Sequence, residues 1–272
     1  MEKVLSRDGT SIAYQRSGSG KPLVLVHGTS GTFRRWAPVL PLLERHFTVY
    51  AMDRRGRGES GDSSSPYAAE REFEDVAAVV DGVDTTVDAG DTGVHLFGHS
   101  YGAVCALEAS LLTDRIDRLI LYEPPIPLAG PRGEDDGVLK KMEELLAAGQ
   151  RAAVLATFMR KMVRMSAADI RLSKSMAAWP ARVAAAHTIP REILALRKYS
   201  FDPDRFRAAS VPTLLLLGGE SPDHFRQALL LLESALPNSK TVVLAGQQHV
   251  AMETAPELLA EAVSTFLLSP MP

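Results

Sequence analysis

Cysteine is almost absent from this chain of 272 residues, where Cys105 stands alone. A single thiol excludes an internal disulfide framework and fits a reducing compartment. An excess of one charge sign is lacking too. With 30 Lys and Arg against 33 Asp and Glu, the formal net charge is −3, which argues against nucleic acid or an anionic membrane as partner. No apolar run exceeds strand length, so no segment is expected to span a bilayer. The opening Met1-Glu2-Lys3-Val4 lacks the basic-then-apolar pattern of a secretory signal. No cluster has metal-ligand spacing, and Gly56-x-Gly58 lacks the remaining glycine of a dinucleotide fingerprint. Neither metal nor other cofactor is therefore expected. These absences predict a soluble, cytoplasmic protein.

What is present is an ordinary globular composition, 46% hydrophobic and 23% charged. The length allows one large core, or a core with a smaller lobe. Lys3–Leu5 and Ile12–Gln15 flank Asp8-Gly9 and predict a hairpin. Near-continuous apolar runs follow at Leu23–Val26, Phe47–Met52, Val94–Phe97, Leu119–Tyr122, Thr213–Leu217 and Thr241–Leu244. Such runs suit parallel strands buried on both faces. Helical spacing lies between them, as in Phe73, Val76, Val80 and Val83. The predicted fold class is α/β, a doubly wound, mostly parallel sheet.

One interval breaks this rhythm. From Pro127 to Pro203 there are only helical patterns, at 138–148, 151–165, 168–179 and 191–198. We expect three parts: residues 1–126 and 204–272 form the α/β core, and 127–203 an inserted helical lobe, opened by the loop 127–133. Five of the nine methionines fall there: Met142, Met159, Met162, Met165 and Met176. They either pack the lobe onto the core or line an apolar pocket.

The sequence Gly98-His99-Ser100-Tyr101-Gly102 follows the run Val94–Phe97 and precedes a helical stretch. Strand, sharp turn, serine and helix is the context of a nucleophile elbow. Side chains at the two glycine positions would collide with the crossing strand and helix. Chance alone supplies such a motif about 0.1 times in a chain of this length, so the rest of the site matters. Each apolar run ends at a loop with a reactive or small residue: His27-Gly28-Thr29, Asp53-Arg54-Arg55-Gly56-Arg57-Gly58, Ser100, Glu123-Pro124, Gly218-Gly219-Glu220, and Gly246-Gln247-Gln248-His249. In open α/β sheets these loops share the ligand-binding edge. Ser100 is the expected nucleophile, needing an adjacent base. His249, late in the chain, is the expected base, because imidazole titrates near working pH. Tyr101, the residue after the serine, is expected to offer its N–H to an oxyanion. Cys105 is expected to be a buried apolar residue.

In the order His27-Gly28, Trp36, Asp53-x-x-Gly56-x-Gly58-x-Ser60, Gly98-x-Ser100-x-Gly102 and His249, the chain resembles the α/β-hydrolase family over almost its whole length. The resemblance implies a second oxyanion N–H at Thr29 and a helical cap at 127–203. His27 is expected to shape its turn, and Asp53, with Gly56 and Gly58, to pin a loop. Arg54, Arg55 and Arg57 are expected to lie in a solvated turn. His99 and Tyr101 either touch substrate or pack.

The third catalytic group has three claimants. Most of the family carries an acid after the strand read at Thr213–Leu217, but Ser221 and Pro222 occupy the expected positions. Asp223 and Glu220 are the nearest carboxylates there. Asp223 also fits the first turn of a helix capped by Ser221, with Pro222 first in the helix. Glu123 ends the preceding strand, where Pro124 biases it towards an extended conformation, and some relatives hold their acid there. Glu123 is the expected acid, Asp223 the alternative; a dyad without an acid is the remaining possibility.

The expected function is a serine hydrolase that cleaves an ester, thioester or lactone of a small, largely apolar substrate through an acyl-enzyme. A serine elbow disfavours haloalkane or epoxide hydrolysis, which the resemblance links to a carboxylate nucleophile. Carbon–carbon bond hydrolysis, hydroxynitrile cleavage and perhydrolysis remain alternatives on a similar scaffold, and a non-catalytic ligand receptor is a third class.

Overall fold

The computed structural model describes residues 1–62, 66–84, 93–128 and 136–270. Its strands are β1 (Glu2–Leu5), β2 (Ser11–Gly18), β3 (Lys21–Val26), β4 (Phe47–Met52), β5 (Val94–His99), β6 (Ile116–Tyr122), β7 (Thr213–Gly218) and β8 (Ser239–Leu244). They form one sheet in the order β1-β2-β4-β3-β5-β6-β7-β8. The expected hairpin is present: Lys3 pairs with Ala13 and Val4 with Ile12, across a turn in which Gly9 has φ +83°. β2 is antiparallel to β4, and every pairing from β4 to β8 is parallel.

The helices are α1 (Leu40–Leu43), α2 (Ala69–Gly82), α3 (Tyr101–Ala109), α4 (Asp136–Ala147), α5 (Arg151–Lys161), α6 (Ala167–Ser175), α7 (Trp179–Ala184), α8 (Ile189–Lys198), α9 (Asp223–Ala235), α10 (Ala251–Thr254) and α11 (Pro256–Leu268). Successive strand residues point to opposite faces, and the apolar runs divide accordingly. Val24, Leu119, Leu215 and Leu217 pack with α2, α3 and α9, while Leu23, Ile120, Leu214 and Leu216 pack with α1 and α11. Both faces are covered, which is why these strands read as unbroken apolar runs.

Between β6 and β7 lie α4 to α8, with no strand among the described residues. The part of the expected opening loop at 129–133 lies outside them. Met142, Met159 and Met165 are buried in the same apolar cluster as Leu25 and Phe97 of the sheet. The helices of this interval thus share a core with one face of the sheet.

The loop after β4 departs from expectation. Arg54, Arg55 and Arg57 are buried, not solvated. Arg54 lies 2.7 Å from Glu192 of α8 and 3.5 Å from Glu72 of α2, Arg57 also pairs with Glu192, and Arg55 pairs with Asp75 at 2.6 Å and Asp8 at 3.0 Å. Buried charges persist when paired, and here the carboxylates come from distant elements. Asp53 holds the loop itself: its carboxylate accepts from the Phe33 N–H at 2.8 Å and the Glu59 N–H at 3.1 Å.

Candidate active site

Ser100 sits at the turn from β5 to α3 with φ 56° and ψ −127°. This is a strained conformation for a non-glycine residue. The turn is tight because α3 crosses the neighbouring strand closely: a Cβ on Gly102 would lie 2.4 Å from the carbonyl oxygens of Val26 and His27. The loop after β3 presses on the same turn. A Cβ on Gly28 would lie 2.7 Å from the Ser100 Cβ, so Thr29 is held beside the serine. Tyr101 opens α3, and its N–H belongs to the first turn, where backbone donors have no partner within the helix. The Tyr101 side chain is buried and points away into the protein, its hydroxyl 2.8 Å from the Tyr67 hydroxyl and its ring under the Arg54 guanidinium.

Glu123 leaves β6 with φ 46°, left-handed and not extended. The bias from Pro124 is overridden by two hydrogen bonds to a buried carboxylate. Oε1 accepts from the Gly218 N–H at 2.7 Å, and Oε2 lies 2.6 Å from His249 Nδ1. A proton on Nδ1 donated to Glu123 leaves Nε2 as the basic nitrogen. Asp223 and Glu220 are exposed instead. Asp223 accepts from the Gln227 side chain and begins α9, with Pro222, not Ser221, in the capping position.

His249 is held from three further directions. The Phe225 ring stacks on it at 4.6 Å, His99 lies 4.7 Å away ring to ring, and the Tyr122 hydroxyl donates to the Gln248 carbonyl beside it. His99 Nε2 donates to the His249 backbone carbonyl at 2.8 Å. Burial, helped by the neighbouring His249 and Arg35, pushes His99 well below the ordinary imidazole range, so it serves as a neutral donor. Burial likewise lowers His27, together with Arg54 and Arg57. The neutral His27 ring bonds the Gly28 carbonyl at 2.9 Å and accepts from the Arg54 N–H at 3.2 Å, fixing the turn.

In the sequence Phe225 stands only in helical spacing with Ala228, Leu229 and Leu232, and nothing local marks the Gly218 N–H as a partner of Glu123. Both contacts arise from parallel strands lying side by side. Ser100, Thr29 and His249 together line an open cleft of about 420 Å³, whose walls include Ile126, Met162 and Ile193. They also line a smaller cavity of about 20 Å³. Two of the five clustered methionines, Met159 and Met165, face that cavity, so Met159 and Met165 serve packing and lining at once.

A serine elbow on a doubly wound sheet, with the loops of six parallel strands on one edge, defines the α/β-hydrolase fold. Residues 23–262 match the model of the alpha/beta hydrolase family, and the chain belongs to that family. A solved alpha/beta hydrolase from Sphaerobacter thermophilus is 36% identical, covering 98% of this chain and 100% of its own, with a TM-score of 0.81. An esterase from a Rhodococcus species is 25% identical over 98% of each chain, with a TM-score of 0.75. Among curated proteins, (E)-2-((N-methylformamido)methylene)succinate hydrolase from Acinetobacter baylyi is 22% identical, with 93% of each chain covered. No helix among the described residues is long and apolar enough to cross a membrane. No group of three or more His, Cys, Asp or Glu among them could hold a metal ion.

Proposed function

We propose that the protein is a serine hydrolase that opens an ester, thioester or lactone through an acyl-enzyme, with Ser100 as nucleophile, His249 as base and Glu123 as the acid. The observation that carries this reading is the 2.6 Å contact between His249 Nδ1 and the buried Glu123 carboxylate, on the cleft that Ser100 lines. His249 Nε2 takes the Ser100 proton as Oγ attacks the carbonyl carbon. The oxyanion forms against the N–H groups of Thr29 and Tyr101, each worth roughly 3 kcal/mol to the transition state. Collapse expels the alcohol or thiol, which receives the proton from His249. Water, deprotonated by the same nitrogen, then releases the acid and regenerates Ser100. Glu123 holds the imidazole tautomer and stabilises the imidazolium. In this reading residues 127–203 act as a cap over the cleft, and the apolar side chains there favour a small substrate whose part in the cleft is largely apolar; the protein would act in the cytoplasm.

The Rhodococcus relative is named an esterase and the Acinetobacter relative a hydrolase, which supports a hydrolytic reaction. A fluorophosphonate tests the nucleophile. The expected result is a mass increase of one phosphonyl group in the wild type and none in Ser100→Ala, with p-nitrophenyl ester turnover lost in the variant. An unlabelled Ser100 in folded protein would sink the reading.

A further inference from the structure

The small cavity beside Ser100 has a wall that this mechanism leaves unused. Arg35, in the short helical turn after β3, and Arg182, in α7, both line it. Both are buried, at 5% and 3% exposure. They share one carboxylate. Glu253 Oε1 lies 3.3 Å from Arg35 Nη1 and 3.7 Å from Arg182 Nη1. Their other partners are neutral: Arg182 bonds the Ser173 hydroxyl and, at 3.3 Å, that of Ser30, while Arg35 Nη2 lies 3.8 Å from the Met252 sulfur. The Nε atoms of both arginines have no hydrogen-bond partner.

The contrast with the other buried arginines is informative. Arg54 and Arg57 meet two carboxylates, Glu72 and Glu192, and Arg55 alone meets two, Asp75 and Asp8. Those clusters are balanced or acidic. The pair at the cavity carries one more positive charge than it has carboxylates to answer it, among the described residues. An uncompensated buried charge is costly to a fold, and burial with the adjacent Arg35 pushes the Arg182 guanidinium down to about 9. It remains charged at neutral pH. An excess cation kept at a wall of the reaction cavity calls for an anion that arrives with the substrate.

We propose that Arg35 and Arg182 bind a carboxylate carried by the substrate close to its scissile carbonyl, so that the acyl half is a short dicarboxylic acid. The geometry favours a small anion. The cavity of about 20 Å³ has room for one compact polar group, and it meets the open cleft at Thr29, Ser100, Phe158, Val163 and His249, which line both. A carbonyl over Ser100 can therefore direct a charged acyl end into the cavity and its leaving group into the cleft. Guanidinium groups match carboxylates through paired, charge-assisted hydrogen bonds.

This inference rests on the serine-hydrolase reading, and its test separates the two. Monoethyl malonate and monoethyl succinate are compared with their diethyl esters. In the wild type kcat/KM for a half-ester should exceed that for the diethyl ester by about 10- to 100-fold, the scale of a hydrogen bond to a charged group. In Arg182→Met, and separately in Arg35→Met, that ratio should collapse towards one. Calorimetry on Ser100→Ala, which needs no turnover, should show monoethyl succinate binding at least about 10-fold more tightly than diethyl succinate. A wild type that labels with phosphonate and cleaves diethyl esters but has no half-ester preference overturns the anion site and leaves the nucleophile standing. Failure of labelling with selective half-ester binding does the reverse. Equal binding of the two esters by Ser100→Ala overturns the proposal even if the arginine variants fail to fold.

Discussion

Glu123 occupies a backbone conformation that an L-residue adopts at a cost, and two hydrogen bonds to its carboxylate hold it there. The prediction at this scale follows from the tautomer. Glu123→Gln keeps the volume but offers His249 an amide, which can present its N–H to Nδ1 and reverse the ring's proton. Turnover should fall by about two to four orders of magnitude with KM little changed, whereas Asp223→Asn, exposed and bonded to Gln227, should alter kcat less than about twofold. Steady-state kinetics on a p-nitrophenyl ester distinguishes them, and the opposite pattern would move the acid to the loop after β7. The sequence marks both the proposed acid and its competitor because each lies in the loop that follows an apolar run. The left-handed turn was not legible. A proline's bias on its predecessor is local, and the Gly218 N–H that overrides it arrives from a strand nearly a hundred residues later.

At the scale of elements, the loop after β4 is fastened to α8 by Glu192. Burial opposes the charge on this carboxylate, but Arg54 and Arg57, aided by a hydrogen bond from the Thr29 side chain, hold it down to about 2, below its ordinary 4.5. A depressed carboxyl stabilises the fold above its unfolded value. That stability is fully present above about pH 4.5 and drains away as pH falls towards 2. Glu192→Gln should therefore lower stability at pH 7 by about 3 kcal/mol, because it strands buried guanidinium groups. Its denaturant midpoint should also vary less steeply than the wild type's below pH 4.5. Urea titrations across that range supply the measurement, and parallel pH curves would contradict the assignment. Three arginines in four residues look like a solvated turn when read alone. Their burial depends on Glu192, Glu72 and Asp75, and no local pattern ties these partners to the loop. Strands and most helices were legible because each apolar run or repeat carries its own period.

For the whole molecule, the decisive feature is continuity of the apolar interior. Met142, Leu155 and Ile193, from the helices between β6 and β7, lie in one cluster with Leu23 and Phe97 of the sheet. A lobe with its own core could melt alone, but helices sharing a core should not. Calorimetry should record one transition in which loss of the helices and of the sheet coincide; a separate low-temperature peak that leaves the sheet intact would contradict this. The existence of this interval was readable from the absence of strand-like runs. Its sharing of the core was not, since adjacency between Met142 and Phe97 is a property of the folded topology. The sheet order was similarly hidden, because β4 lies between β2 and β3 through pairings that alternation does not encode.

The hydrogen bond from His99 to the backbone of His249 gives the elbow a second duty. The residue immediately before Ser100, the proposed nucleophile, grips the peptide of His249, the proposed base. This contact links the two loops directly, in addition to the hold that Glu123, Phe225 and Tyr122 have on His249 and its loop. In the proposed mechanism the serine and the imidazole therefore keep their alignment through a direct contact as well as through the sheet.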